Sequence, residues 1–407
     1  MPEQHDATAV AGRVRDGDHV VLDTSRPRGV GRALAARDDL QDVTVTAYGF
    51  PYDDPAPLDA LADAPGVTVR VSMAGPGLRD LVAAGEIEFV PRTFLAAARA
   101  PVRPSDDRRV VALLGSPPAG EAQPLGPLSA YGEALVAAAD VVVVERTPAL
   151  PVLDGGRTVP VGAVDHAVEA AGPPPTLPSV TPTGAERETA ANVVAALPDR
   201  PTVQLGVGSV PTELGRRLAE AGDPLTIHSG LLGESVRPVV AAGVAGTVRG
   251  CMAVGEDPSF YDWLADAPVE LRPASVTHDP GHLATLDRFV AVNGALSVDR
   301  RGQVAAETID GRQVSGVGGQ SAFMAAASQA PDGRAVIAMT ARAGTTPKIV
   351  PSLDGEVVTT PRHFVDEVVT EFGRARLGDR SAGERAAALA RVAHPEDRPA
   401  LRESARS

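Results

Sequence analysis

Short runs of Val, Leu and Ala recur along nearly the whole chain, separated by stretches whose apolar positions follow a helical period. The runs predict strands at 19–23 (HVVLD), 42–48 (DVTVTAY), 67–73 (VTVRVSM), 109–114 (RVVALL) and 140–145 (DVVVVE). After a break, further strands are predicted at 202–207 (TVQLGV), 225–228 (LTIH), 289–298 (FVAVNGALSV) and 335–340 (AVIAMT). A run such as VVVV is apolar on both faces, which suits a strand covered by helices on each side. Amphipathic helices are predicted at 29–38, 131–139, 211–221 and 383–393. This alternation predicts an α/β fold with mainly parallel sheets.

The clearest break is 171–183, AGPPPTLPSVTPT, with five prolines in thirteen residues. Proline removes a backbone donor and fixes φ, so this segment is neither helix nor central strand. Thr183 or Gly184 then opens the helix GAERETAANVVAAL. We therefore expect an N-terminal domain over 1–172, a linker over 173–183 and a C-terminal domain over 184–407. RVVALLGSPP at 109–118 faintly echoes TVQLGVGSVP at 202–211, as in a distant duplication.

Composition narrows the function classes. The formal charge is −14, which argues against a nucleic-acid or anionic-membrane surface. No apolar run approaches the roughly 18 residues of a membrane span, and the first residues have no signal-peptide core. A cytoplasmic protein is expected. One cysteine, Cys251, excludes an intrachain disulfide and a multi-cysteine metal site. Aromatics are only 3 %, so the core must be built of Ala, Val and Leu. Lys348 is the only lysine, against 37 arginines.

Four stretches carry candidate chemistry. In Gln204–Leu214 a strand ends, Gly206 and Gly208 turn the chain, and a helix starts near Pro211; such a turn can present free N–H groups to an anion, a carboxylate or a developing oxyanion, or be a plain strand-to-helix turn. In Ser315–Met324, Gly316, Gly318 and Gly319 precede Gln320 and another helix. Lys348 sits between Pro347 and Pro351 as a fixed cation or an incidental one. His228 ends a strand in the run Ile227–Glu234.

In this order and spacing the stretches resemble the acetyl-CoA hydrolase/transferase family, which includes acetate, butyrate and 4-hydroxybutyrate CoA-transferases. The matching pieces are QLGVGSVP, TIHSGLLGES, FVAVNGALSVDRRGQVAAETIDGRQVSGVGGQSAFMAAAS, PKIVPSL, EVVTTPRHFVDEVVTEFGRARL and RAAALARVAHPEDRPAL. They run from about 199 to 403, with thinner similarity in GDHVVLD, LQDVTVTAYG, LLGSPP and ADVVVVE. The resemblance implies two related α/β domains with the active site between them, an acyl-CoA substrate with a small carboxylic acid as partner, and no metal or redox cofactor. It also implies covalent catalysis, in which a glutamate attacks the thioester and is carried through a glutamyl-CoA intermediate. Gly206 and Gly208 are then expected to meet the acyl carboxylate or oxyanion. Gly316, Gly318, Gly319 and Gln320 are expected to line the CoA site, and Lys348 to meet CoA phosphates.

One departure accompanies the match. Where transferases with the IHS-type motif carry the glutamate directly after His-Ser, this chain has Gly230. Where other members carry it, before an Asn-His-Pro-like triplet, this chain has Ser275. Glu234 is the nearest remaining carboxylate. With the segment from Leu231 read as helical, it lies one turn from position 230, as a base for water. His228, His278 and a Ser275 nucleophile are the other candidates. Transfer, hydrolysis and a non-catalytic CoA-binding role all remain open, as does a homo-oligomeric state.

Overall fold

Eight strands lie side by side as a single parallel sheet, whose long apolar members, such as Val110–Ser116 and Val141–Arg146, are largely buried and need helical cover. A computed structural model describes residues 3–48, 54–101, 107–170 and 172–404. The first sheet contains β1 (Glu3–Gln4), β2 (His19–Leu22), β3 (Val43–Ala47), β4 (Val67–Val71), β5 (Ile87–Phe89), β6 (Val110–Ser116), β7 (Val141–Arg146) and β8 (His166–Glu169). Their order is β1-β8-β7-β6-β2-β3-β4-β5, all parallel. Helix α1 (Arg28–Ala35) follows β2.

The chain forms two compact units. One comprises Met1–Pro178, Cys251–Val276 and Gln313–Gly318, and the other Ser179–Gly250, Thr277–Arg312 and Gly319–Ser407. The first changeover falls inside the proline-rich stretch. The later segments rejoin the first unit through backbone bonds. Leu177 N–H donates to Gly255 O (2.8 Å), Ala74 N–H to Ser315 O (3.1 Å) and Phe94 N–H to Gly318 O (3.0 Å).

The second unit opens with α2 (Gly184–Val194), started by a capping box in which Thr183 and Glu186 satisfy each other's backbone N–H. Its strands are β9 (Thr202–Gln204), β10 (Leu225–His228), β11 (Ala245–Gly250), β12 (Phe289–Asn293), β13 (Arg334–Ala338), β14 (Glu367–Thr370) and β15 (Gly373–Arg376). They run β11-β10-β9-β12-β13-β14-β15, parallel except for the β14–β15 hairpin. Helix α3 (Ser209–Ala221) follows β9, and α4 (Gln320–Ala327) precedes β13.

Both sheets share one plan. The first long strand, β2 or β9, lies centrally; the next strands step outward on one side and the later ones on the other. The echo between 109–118 and 202–211 does not follow this plan. Val110–Ser116 holds the place of Phe289–Asn293, while Thr202–Gln204 holds that of His19–Leu22. The predicted strand 289–298 is interrupted after Asn293, and its remainder, Ser297–Asp299, pairs elsewhere. Each unit has its own core of mainly Val, Leu and Ala side chains.

Candidate functional site

In an open parallel sheet, ligands bind beyond the carboxyl ends of the strands, where the strand order reverses. In the second unit that point lies between β9 and β12. The polar residues ending these strands meet there, with Asn293 Nδ2 donating to Gln204 Oε1 at 2.7 Å. The chain then turns through Gly206 and Gly208. Gly208 has φ 113° and ψ −178°, a conformation open to glycine alone. A methyl group at Gly208 would meet nothing within 4 Å, and at Gly206 only Pro211 Cγ at 3.9 Å. These two glycines therefore leave open space. Helix α3 begins at Ser209, two residues before the expected start, and no side chain caps it. Its first N–H groups thus face the turn without a side-chain acceptor. The Ser209 hydroxyl instead donates to Glu186.

The equivalent helix of the first unit is closed. Glu145, just before the end of β7, accepts N–H bonds from Gly29 (3.0 Å) and Val30 (2.9 Å) in the first turn of α1. Burial pushes the Glu145 carboxyl above its ordinary range, and those two N–H groups only partly offset it. Of two matching helix ends, one is filled by the protein's own carboxylate and the other is open.

Position 230 lies beside the open one. Ser229 donates through its hydroxyl to Leu205 O in the glycine turn. A Cβ at Gly230 would fall 2.9 Å from His278 Nε2, 3.0 Å from its Cε1 and 3.4 Å from Phe323 Cε2. The imidazole of His278 thus occupies the space into which a side chain at 230 would grow. Gly319 flanks the same ring, since a Cβ there would fall 2.6 Å from Nε2. Phe323 packs on it at 4.6 Å between ring centroids, and Thr277 Oγ1 lies 3.0 Å from Nδ1.

The glycines of the second loop have local reasons. A Cβ at Gly316 would lie 2.2 Å from Ser72 O, Gly318 has φ 60°, and Gly319 must clear His278. Protein packing and backbone geometry alone demand all three. Gln320 Nε2 donates to Thr360 Oγ1 at 3.2 Å. The loop is also divided, with Gly316 and Gly318 in the first unit and Gly319 and Gln320 in the second.

The remaining candidates are dispersed. The helix expected from Leu231 does not form there: Leu231–Leu232 is a short strand, and the helix begins at Val236. Glu234 lies in the intervening turn and pairs with Arg237 at 3.4 Å. His228 is buried, its Nε2 donating to Thr277 O at 3.0 Å. Ser275 is half-buried on the short helix Ala274–Thr277 and belongs to the first unit, whereas His278 belongs to the second. Lys348 is half-buried rather than surface-exposed, in the field of Glu186 and Glu371. Gln204, Asn293, Glu145 and Glu186 escaped the sequence reading. A polar residue ending an apolar strand, as in TVQ and VAVN, was the available signal for the first two. Among the described residues, no cluster of three or more His, Cys, Asp or Glu is arranged to hold a metal.

Residues 257–405 match the model of the acetyl-CoA hydrolase/transferase C-terminal domain. The chain is also 30 % identical, over 97 % of its length and 93 % of the relative's, to a succinyl-CoA:cyclohexane-1-carboxylate CoA transferase of Geobacter metallireducens. The chain belongs to the acetyl-CoA hydrolase/transferase family. It is 33 % identical to a 4-hydroxybutyrate coenzyme A transferase of Clostridium kluyveri, over 67 % of this chain and 66 % of that one. In fold it is similar to RipA from Yersinia pestis, with a TM-score of 0.88 at 24 % identity, covering 99 % of this chain and 97 % of that one. No helix among the described residues is long and apolar enough to cross a membrane.

Proposed function

We propose that this family member acts on acyl-CoA thioesters at the carboxyl edge of the second sheet, with water as the main acceptor. One observation carries the reading: the α3 N-terminus is open behind Gly206 and Gly208, while its counterpart on α1 is sealed by Glu145. The first N–H groups of α3 suit the oxyanion that forms when a thioester carbonyl is attacked. The relatives' names favour transfer of CoA to a small carboxylic acid. Transfer through a glutamyl-CoA thioester needs a carboxylate at the reacting position, and at 230 the space for one is taken by His278.

His278 is then the titratable group nearest that position. In the step we propose, water attacks the carbonyl carbon and gives a proton to the imidazole. The C–S bond breaks, and the proton passes to the departing thiolate. This needs no cofactor beyond the CoA thioester itself. Acetyl-CoA should be incubated with and without butyrate while free thiol and butyryl-CoA are followed. Thiol release independent of butyrate, lost in His278→Asn, supports the reading. Butyrate-dependent exchange without hydrolysis supports transfer, and tight binding without either product leaves a CoA-binding protein.

A further inference from the structure

The carboxyl end of β10 holds two parts of the site at once. His228 closes the strand, Ser229 follows it, and both are buried. Each bonds to a loop distant in sequence. The Ser229 hydroxyl donates to Leu205 O, just before Gly206. His228 Nε2 lies 3.0 Å from Thr277 O, 49 positions later. A carbonyl oxygen can only accept, so this nitrogen carries a hydrogen and donates it. Thr277 in turn meets its neighbour, with Oγ1 3.0 Å from His278 Nδ1. Among the described residues, that hydroxyl makes no other hydrogen bond.

The main chain and side chain of one threonine thus connect two imidazoles. A packed path joins them as well. His228 meets Phe289 edge-on at 6.3 Å between ring centroids, Phe289 meets Phe323 at 6.4 Å, and Phe323 covers His278 at 4.6 Å. The two ends of this path differ in support. His228 rides on a strand paired on both sides, with β9 and β11. Thr277 ends one four-residue helix, and His278 stands before another, Pro280–Leu283. A reacting group is placed most precisely when a rigid element holds it.

We propose that His228 is a positioning residue rather than an acid or a base. Its Nε2–H is committed to Thr277 O, and through Thr277 it holds the His278 ring in the space beside position 230. The run Ile227-His228-Ser229 then fixes the glycine turn and the imidazole from one strand end. The proposal rests on the reading that His278 activates water there.

The test uses ring-¹⁵N spectra of the full chain, which has eight histidines. The signals of His228 and His278 are those missing from His228→Gln and His278→Asn. In the natural protein His228 should show the Nε2–H tautomer, a reading that needs no Leu variant to fold. The amide of Gln can donate to Thr277 O from a similar place, whereas Leu fills the space without a donor. In His228→Leu the His278 signals should shift, and kcat on acetyl-CoA should fall about tenfold with KM little changed. His228→Gln should restore most of both. An Nδ1–H tautomer at His228 overturns the proposal, since no hydrogen would face Thr277 O. Unmoved His278 signals in His228→Leu overturn it too. A Gln variant as inactive as the Leu one does the same, because the imidazole of His228 would then be a reacting group. A natural protein without any turnover refutes the functional reading, while the tautomer and the shifted His278 signals would still uphold the link between the two rings.

Discussion

Placing a glutamate at position 230 is the obvious way to give this chain the carboxylate its relatives' chemistry calls for, and the structure predicts that Gly230→Glu alone fails. The backbone does not forbid it, since Gly230 is not among the positive-φ residues. The obstacle is the ring of His278. The new Cβ would lie 2.9 and 3.0 Å from two of its atoms, where ordinary contact is about 3.5–4 Å. Gly319 crowds the same ring, since a Cβ there would fall 2.6 Å from Nε2 and 2.7 Å from Cδ2. Overpacking of this kind costs about 1–3 kcal/mol, which for a unit of this size lowers the melting temperature by roughly 2–12 °C. The buried carboxylate adds a further penalty unless the imidazole is protonated beside it. Pairing Gly230→Glu with His278→Ala removes the obstruction. The double variant should recover stability relative to the single one, gain butyrate-dependent exchange and form a borohydride-sensitive glutamyl-CoA adduct. The assays are thermal melting and CoA exchange on the same preparations. A single Gly230→Glu variant that melts like the natural protein and exchanges CoA would refute the claim that His278 holds this space.

Gly319→Ala should destabilise by about 1–3 kcal/mol, and His278→Ala should relieve much of that loss, a coupling readable in a double-mutant cycle by denaturant unfolding. Glu145 gives a pH signature. Its folded pKa is raised, so the unfolded chain loses this proton first. Its contribution to stability is full below the ordinary value of 4.5 and is lost as pH rises through the folded value. Glu145→Gln should remove that decline from the stability–pH curve while costing about 1–2 kcal/mol for the spoiled bidentate cap; an unchanged slope would mean the carboxylate is not buried as described.

The α/β plan was legible because the strands that set it, such as Val110–Ser116 and Val141–Arg146, are apolar on both faces. Ala245–Gly250 was missed because it is rich in glycine and partly exposed, and Ile87–Phe89 because three residues show no period. The Gly206–Gly208 turn was legible as a strand end running into a helix. Three features of the site were not legible. That Gly316 yields to Ser72, 244 positions earlier, is a fact of packing. That His278 fills the space of residue 230 depends on two loops meeting. That Glu234 leaves the expected helix depends on where the short strand Leu231–Leu232 stops.

The interleaving of the two units has a consequence for how the chain is made. Residues 1–178 emerge from the ribosome first, but the unit they begin lacks two of its pieces until residue 318 has been synthesised. By then much of the second unit has also appeared. The N-terminal unit cannot complete its fold during synthesis in the order its residues are numbered, and must hold an unfinished surface over more than a hundred further residues. Such an interval exposes apolar surface and unpaired strand edges to aggregation. A fragment ending at the proline-rich stretch lacks the segments Cys251–Val276 and Gln313–Gly318 that pack with the first unit.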